Sequence, residues 1–217
     1  PNIWSRARLR YPDRRAEGGR VDANGFTLPG LPALVVGSNG HVAWGFTNSY
    51  GDWLDWKRVP ECGKDACKGA TRTVETIRVA GGDDVEYPVD ETPWGPILHR
   101  ESNGSALALR WIAHQPGSMN LGLSDFLYAR SLDEALPAAD RTAIPAQNLA
   151  VGDSQGRITW RLLGPMPLRG AGCDATQVVE PDACAPWPIT TAHGTMLPIG
   201  TVQPLWTANS GVVGGAL

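Results

Sequence analysis

A turn between two apolar runs constrains the N-terminal part of this chain. Ser38-Asn39-Gly40 separates the runs PALVV and HVAWGFT. Asparagine and glycine both tolerate positive φ angles, so an Asn-Gly pair between apolar runs is a strong signal for a β-hairpin. Side chains alternate across a strand, and the second run therefore places Val42, Trp44 and Phe46 on one face. We expect that face to belong to the protein core.

Two further segments show strand patterns. In LALRWI, the side chains of Leu107, Leu109 and Trp111 share one face and predict a core strand. The segments Leu149 to Gly152 and Arg157 to Leu163 flank the turn DSQG. Turn-forming residues between two apolar segments predict a second hairpin.

Helical patterns are confined to the middle of the chain. Leu123, Phe126 and Leu127 lie on one stripe of a helical repeat. Ser131 and Glu134 have the spacing of a capping box, which predicts the start of a second helix. The apolar stripe of that helix would consist of Leu132, Ala135, Leu136 and Ala139. Two short helices are therefore expected, one directly after the other.

Glycine and proline interrupt the rest of the chain. The sequence holds 26 Gly, 18 Pro and 9 Trp in 217 residues, which is typical of short strands joined by turns. Thr71 to Val79 and Asp83 to Val89 predict a surface hairpin, and Gly170 to Ala192 predicts a long loop. Strands outnumber helices, and the pattern favours an α+β fold.

Charge and hydropathy exclude two classes of partner. The formal net charge is -3, and the Lys and Arg residues are scattered along the chain apart from one basic cluster. That cluster consists of Arg6, Arg8, Arg10, Arg14 and Arg15. We interpret it as a solvated edge and expect no nucleic-acid partner, because phosphate binding needs a basic face with aromatic or helical readers beside it. No apolar run approaches the roughly 20 residues that span a bilayer, so we expect no membrane-spanning segment.

The four cysteines form two local pairs in the sequence. Cys62 lies close to Cys67, and Cys173 lies close to Cys184, each pair within loop sequence. Neither spacing is that of a zinc site, and no histidine lies within a few residues of a cysteine. Disulfides are favoured, which indicates an oxidising compartment such as the periplasm or the extracellular space. Four cysteines permit three connectivities, which the sequence leaves open.

No complete catalytic signature is present, but four segments in order resemble the penicillin acylase family. They cover nearly the whole chain, and the first contains a Pro-Gly turn, a Gly-x-Asn-Gly hairpin and Ala-Trp-Gly-x-Thr. The segments are LPGLPALVVGSNGHVAWGFTNSYGDWLDW (28–56), TPWGPIL (92–98), IPAQNLAVGDSQGRITWRLLGPMPLRG (144–170) and PLWTANSGVVGG (204–215). No single segment would carry the resemblance alone.

The resemblance implies an N-terminal-nucleophile hydrolase whose fold is an αββα sandwich. Residues 1–217 would form a partial domain, a β-subunit segment without the nucleophile strand and the C-terminal remainder. The implied substrate is a small-molecule amide such as a penicillin or an acyl-homoserine lactone, with a role in antibiotic metabolism. The implied partners are the remaining segments of the same precursor, which are the α chain and the missing β-chain parts. No organic cofactor is expected.

The resemblance also implies that the catalytic serine precedes Pro1. In the family an N-terminal Ser attacks the amide, and its own α-amino group is the base, which titrates near neutral pH. Gly37-Ser38 is a poor processing site, because cleavage there would cut the predicted hairpin. This chain alone is therefore expected to be inactive. The alternative hypothesis is a truncated, catalytically inactive binding domain.

Three residues match the family's catalytic positions. Asn48 would contribute its backbone N–H to an oxyanion hole, and Asn148 would contribute its side-chain amide. Arg169 matches an arginine that orients the oxyanion asparagine and the substrate. The alternatives are a turn-forming role for Asn148 and an ordinary surface role for Arg169.

The segment GDWLDW matches the family's structural Ca²⁺ site. Asp52 and Asp55 would supply carboxylates and Leu54 a carbonyl, which are oxygen ligands suited to Ca²⁺. Asp153 could add a further carboxylate. Two such aspartates on a loop are more often simply solvated. Phe46, Trp44 and Tyr50 would line the acyl pocket, although core packing is the commoner use of such aromatic residues.

Overall fold

The computed structural model describes residues 3–63, 66–191 and 200–201, the last two for their backbone only. Its contacts group into two compact units. The first contains residues 1–50, 117–165 and 191–217, and the second contains residues 51–116 and 166–190. The four-segment sequence pattern therefore runs through both units, and its last segment, 204–215, lies outside the described residues.

Short strands dominate the described residues, as the sequence predicts. The strands are β1 (Ser5–Pro12), β2 (Arg20–Thr27), β3 (Val36–Ser38), β4 (Val42–Asn48), β5 (Leu54–Val59), β6 (Thr71–Ile77), β7 (Val85–Glu91), β8 (Ile97–Arg100), β9 (Ala106–Trp111), β10 (Gln147–Asp153), β11 (Arg157–Leu163), β12 (Met166–Pro167), β13 (Ile189–Thr190) and β14 (Gly200–Thr201). The α-helix α1 spans Leu132–Arg141, and short 3-10 helices span Glu17–Gly19, Ile112–His114 and Gly122–Leu127. None of these helices is long and apolar enough to cross a membrane.

The first unit is built on a seven-stranded antiparallel sheet. Its strand order is β1-β2-β3-β4-β10-β11-β14. One face packs against α1 and the 3-10 helix before it, where the Trp44 and Phe126 ring centroids lie 5.5 Å apart. The buried members of this core include Val21, Ala23, Val42, Leu149, Val151, Leu163, Leu132, Ala135 and Ala139. The predicted core face of β4 therefore packs against the two short helical segments that the sequence predicts.

Both predicted hairpins of this unit are present. β3 and β4 pair around Gly40, whose φ of 89° is an angle that glycine adopts without strain. β10 and β11 pair around Gly156, with a φ of 78°. The turn-forming residues of the sequence, with a glycine at positive φ in each turn, therefore form both hairpin turns.

Asn39 ties the β3–β4 turn to the helical layer. Its side-chain amide donates to the carbonyls of Phe126 (3.0 Å) and Ala129 (2.7 Å). Its Oδ1 accepts the backbone N–H groups of His41 and Val42, each at 2.9 Å. A single side chain thus satisfies backbone groups of two elements far apart in the sequence.

The start of α1 differs from the predicted capping box. Ser131 is the N-cap residue, but its side chain makes no capping hydrogen bond. The Glu134 carboxylate instead accepts the backbone N–H and guanidinium of Arg130. The Asp153 carboxylate accepts the Leu132 N–H at 3.3 Å. The side-chain acceptor at the start of α1 therefore comes from Asp153, at the end of β10, and not from Ser131 as the capping box predicts.

The second unit contains smaller sheets, ordered β5-β9-β8, β6-β7 and β12-β13. The surface hairpin β6–β7 is confirmed, and nearly all of its side chains are exposed. The prediction for β9 is wrong at one end, because Trp111 is 40% exposed. The most deeply buried side chains of β9 are Ala106 and Ala108, and Ala108 leaves room for Trp94 and Trp187 in the same core. Periodicity of large apolar residues cannot reveal a face built on alanine.

Both cysteine pairs are disulfide-bonded as favoured. Cys62 bonds Cys67, and Cys173 bonds Cys184. The second bridge belongs to the core of this unit, where Cys184 is buried. It closes part of the predicted long loop, which also pairs with β5 through the backbone of Val179.

We predict that Asn39→Ala lowers the free energy of unfolding by about 2–3 kcal/mol, because buried carbonyl and N–H groups lose their partner. Urea unfolding followed by circular dichroism measures the change. Asn24→Ala, at an exposed position on β2, is the control and should change the stability by less than about 0.5 kcal/mol. Equal losses in the two variants would contradict the role of Asn39.

Asp153 makes the stability of the first unit depend on pH. Burial raises the pKa of this carboxyl, but hydrogen bonds from the Arg157 side chain and from backbone N–H groups outweigh burial and hold the pKa below its ordinary value. The ionised form therefore stabilises the fold above the unfolded pKa of about 4, and this stabilisation is lost as the pH falls through the folded pKa.

We predict that Asp153→Asn costs about 2 kcal/mol at neutral pH and that its difference from the wild type shrinks below about pH 4. Asp133→Asn is the control, because Asp133 bonds the same Arg157 but is exposed. Denaturation across the pH range measures both variants. A difference that does not change with pH would rule out the ionised carboxylate as its source.

Candidate active site

The pairing of β4 with β10 brings the two predicted oxyanion residues together. The register aligns Asn48 with Gln147 and Thr47 with Asn148. The Nδ2 atom of Asn148 donates to the backbone carbonyl of Asn48 at 3.0 Å. Residues 100 positions apart in the sequence therefore meet at one end of two adjacent strands.

Strand alternation directs Asn148 away from the core. Leu149 and Val151 on β10 are buried in the core of the first unit. Asn148 and Ala150 therefore lie on the opposite face, where Ala150 is exposed. Gly45 lies opposite Ala150 on β4, so the neighbouring strand carries no side chain there. On this face Thr47 and Gly45 of β4 lie on one side of Asn148 and Ala150, and Leu162 and Trp160 of β11 lie on the other.

The Asn148 amide has the chemistry that an oxyanion site needs. An asparagine NH₂ group carries two donors, and a single hydrogen bond from it appears among the described residues. The bond to the Asn48 carbonyl fixes the orientation of the group, since rotation would break it. A preorganised amide of this kind can donate its second N–H to a developing negative charge.

The predicted pocket aromatics occupy three different environments. Trp44 is buried, and its Nε1 donates to the Val35 carbonyl at 3.1 Å. Phe46 is half-buried and packs against the same core. Tyr50 is fully exposed. Trp44 therefore has the contacts of a core residue, and Tyr50 is accessible to a ligand.

A second cluster, in the second unit, joins Arg169 to Asp52 and Asp55. The Arg169 guanidinium donates to both carboxylate oxygens of Asp55, from Nε at 2.9 Å and from Nη2 at 3.0 Å. Its Nη2 also lies 3.1 Å from the Asp52 carboxylate. Trp187 donates its indole N–H to the same Asp55 oxygen as Nε. The predicted catalytic arginine and the two aspartates predicted as calcium ligands thus form one ion-pair cluster, of which the Leu54 carbonyl is not a part.

Sequence reasoning did not identify the residues that frame this cluster. Arg110 is buried and donates to the carbonyls of Trp187 (2.6 Å) and Trp94 (3.0 Å). The Trp94 indole in turn donates to the Asp55 carbonyl at 3.3 Å. An arginine inside the apolar run LALRWI was the available signal, because a buried charge needs several acceptors.

The carboxylates predicted to bind calcium already have other hydrogen-bond partners. Both Asp55 oxygens already accept hydrogen bonds from Arg169. Asp153 is bonded to Arg157 and to the start of α1, in the first unit. Among the residues that the structure describes, no group of three or more His, Cys, Asp or Glu side chains could hold a metal ion.

Comparisons with known proteins identify relatives of one family. A family model described as penicillin amidase matches residues 1–200. The acyl-homoserine lactone acylase QuiP of Pseudomonas aeruginosa is 24% identical over 194 residues, covering 79% of this chain and 22% of that protein. The penicillin acylase 2 proenzyme of Pseudomonas sp. (strain SE83) is 29% identical over 161 residues, covering 69% of this chain and 21% of that protein. The chain thus spans about a fifth of the length of these relatives.

The fold has a solved counterpart. A thermostable penicillin G acylase from Alcaligenes faecalis superposes with a TM-score of 0.70 at 20% identity, covering 94% of this chain and 38% of that chain. This likeness confirms the predicted α+β architecture, a portion of the αββα sandwich. Together with the family match over residues 1–200, it shows that the chain belongs to the penicillin amidase family.

Proposed function

We propose that this chain supplies the oxyanion-binding part of an amide hydrolase that removes an acyl group from a small molecule. The observation that carries the proposal is the Asn148 amide, held at 3.0 Å from the Asn48 carbonyl on the face of the sheet that points away from the core. Membership of an amidase family supports the reaction class. The nucleophile is an N-terminal serine contributed from outside these 217 residues.

The proposed reaction passes through an acyl-enzyme. The serine oxygen attacks the amide carbonyl, and its proton moves to the serine's own α-amino group. The carbonyl oxygen becomes an oxyanion that accepts hydrogen bonds from the Asn148 amide and the Asn48 backbone N–H. The C–N bond breaks as the α-amino group passes the proton to the leaving amine. Water then hydrolyses the acyl-enzyme ester. Metal chemistry is not needed for any of these steps.

The proposed substrate class follows the names of the relatives, which are acyl-homoserine lactone and penicillin acylases. Such a substrate presents an acyl group joined to an amine. Tyr50 is the aromatic residue that we assign to the acyl group, because Trp44 is enclosed in the core and Phe46 packs against that core, on the face opposite Asn148. The remaining parts of the same precursor would be the protein's partners.

We predict that Asn148→Ala lowers kcat of the full-length protein by about 10²- to 10³-fold, because a preorganised oxyanion donor is lost. Hydrolysis of a chromogenic phenylacetyl amide measures the rate. Asn24→Ala is the control, since Asn24 is exposed on β2 of the same sheet. An unchanged rate in the Asn148 variant would remove this residue from the site.

The 217-residue chain alone should not hydrolyse the same amide. Turnover by this chain would contradict the assignment of the nucleophile to another segment. Binding without turnover by the full-length protein would favour the alternative, an inactive acylase-like binding domain.

We also propose that the protein is exported to the periplasm or secreted. The support is the pair of disulfides, since such bonds persist in oxidising compartments. The purified protein from that compartment should show no free thiol when it is denatured without reductant, as measured by thiol titration. Four free thiols in such a sample would contradict the proposal.

A further inference from the structure

The cluster of Asp52, Asp55 and Arg169 occupies the place where the family resemblance implies a bound Ca²⁺. Calcium takes six to eight oxygen ligands at about 2.3–2.6 Å. The described residues offer the carboxylates of Asp52 and Asp55 and the carbonyl of Leu54. The Asp55 carboxylate already faces the Arg169 guanidinium with both oxygens. A divalent ion between these carboxylates would lie against a fixed positive charge, so the residues do not fit Ca²⁺.

The buried Asp55 carboxylate nevertheless needs a cation. Its side chain is only 1% exposed, and an isolated charge at that depth is strongly unfavourable. The indole N–H of Trp187 supplies a hydrogen bond but no charge. Arg169 supplies the charge, with its guanidinium 5.5 Å from the Trp187 ring centroid. The planar fork of an arginine matches both oxygens of a carboxylate, which a lysine cannot do.

The backbone on either side of the cluster holds this arginine in place. Leu168, directly before Arg169, donates its N–H to the Pro188 carbonyl at 2.8 Å. The short strands β12 and β13 pair beside this bond, and Trp187 directly precedes Pro188. The cation and the indole that contact Asp55 are therefore positioned by one pair of backbone segments.

We propose that the Arg169 guanidinium takes the place of a calcium ion at Asp52 and Asp55, and that this part of the protein is stable without metal. The 3.1 Å contact with Asp52, whose side chain is half exposed, extends the cluster to the loop that precedes β5. This inference concerns the fold around Asp55 and does not depend on the proposed hydrolase activity.

Calcium binding and thermal unfolding of the purified wild-type protein test the proposal. The melting temperature should be the same in EDTA and in millimolar calcium chloride, and equilibrium dialysis with radioactive calcium should detect no ion at this site. One bound calcium per chain that is lost in Asp52→Asn would overturn the proposal. Calcium that remains bound in Asp52→Asn is bound at another site. That result would support the pairing of Asp52 and Asp55 with Arg169.

Variants of Arg169 test whether its charge is needed. Arg169→Met keeps most of the side-chain length and should lower the melting temperature by roughly 10 °C, because the buried Asp55 loses its counter-charge. Arg169→Lys should fall between this variant and the wild type, since it keeps the charge but not the paired geometry. If Arg169→Met does not fold, the Lys variant and the wild-type calcium measurements carry the test.

Arg8→Met is the matched control for these variants. Arg8 makes the same two-pronged contact with Asp22, at 2.8 and 2.9 Å, but on the surface. An exposed ion pair contributes little, so this variant should change the melting temperature by about 2 °C or less. An Arg169→Met variant as stable as Arg8→Met would overturn the proposal.

Discussion

The antiparallel pairing of β4 with β10 is the interaction on which the first unit depends. These strands are central in the seven-stranded sheet, and each carries buried residues into the core under α1. The pairing joins segments about 100 residues apart, so its loop-closure cost has to be repaid by burial. Trp44 from β4 and Leu149 and Val151 from β10 supply that burial.

The same pairing determines what the other face of the sheet can do. Because side chains alternate, anchoring Leu149 in the core directs Asn148 outward, next to the carbonyl of Asn48. A slip of one residue would turn Asn148 into the core and Leu149 toward solvent. Core packing therefore sets the position of a polar group that contributes nothing to the core.

The second unit follows a different constraint, the neutralisation of buried charge. Asp55 and Arg110 lie opposite one another on β5 and β9, and both are buried. Arg110 is satisfied by main-chain carbonyls, whereas Asp55 is satisfied by Arg169 and Trp187. Burial lowers the pKa of Arg110, which is consistent with its neutral acceptors. The Asp55 carboxylate, which was predicted to bind a metal ion, is therefore already hydrogen-bonded to Arg169 and Trp187.

The resemblance of four ordered segments to a known family supplied the candidate site residues. The sequence by itself predicted the hairpins at Gly40 and Gly156 and the surface hairpin β6–β7, and it favoured disulfides while leaving their connectivity open. These features depend on turn chemistry or on residue types within a few positions, where local interactions decide the outcome. The tertiary structure alone decided that Trp111 is exposed, that Asp153 and not Ser131 serves the start of α1, and that Arg169 bonds Asp55. Each of these depends on which distant groups share a buried space, and neither composition nor periodicity encodes that choice.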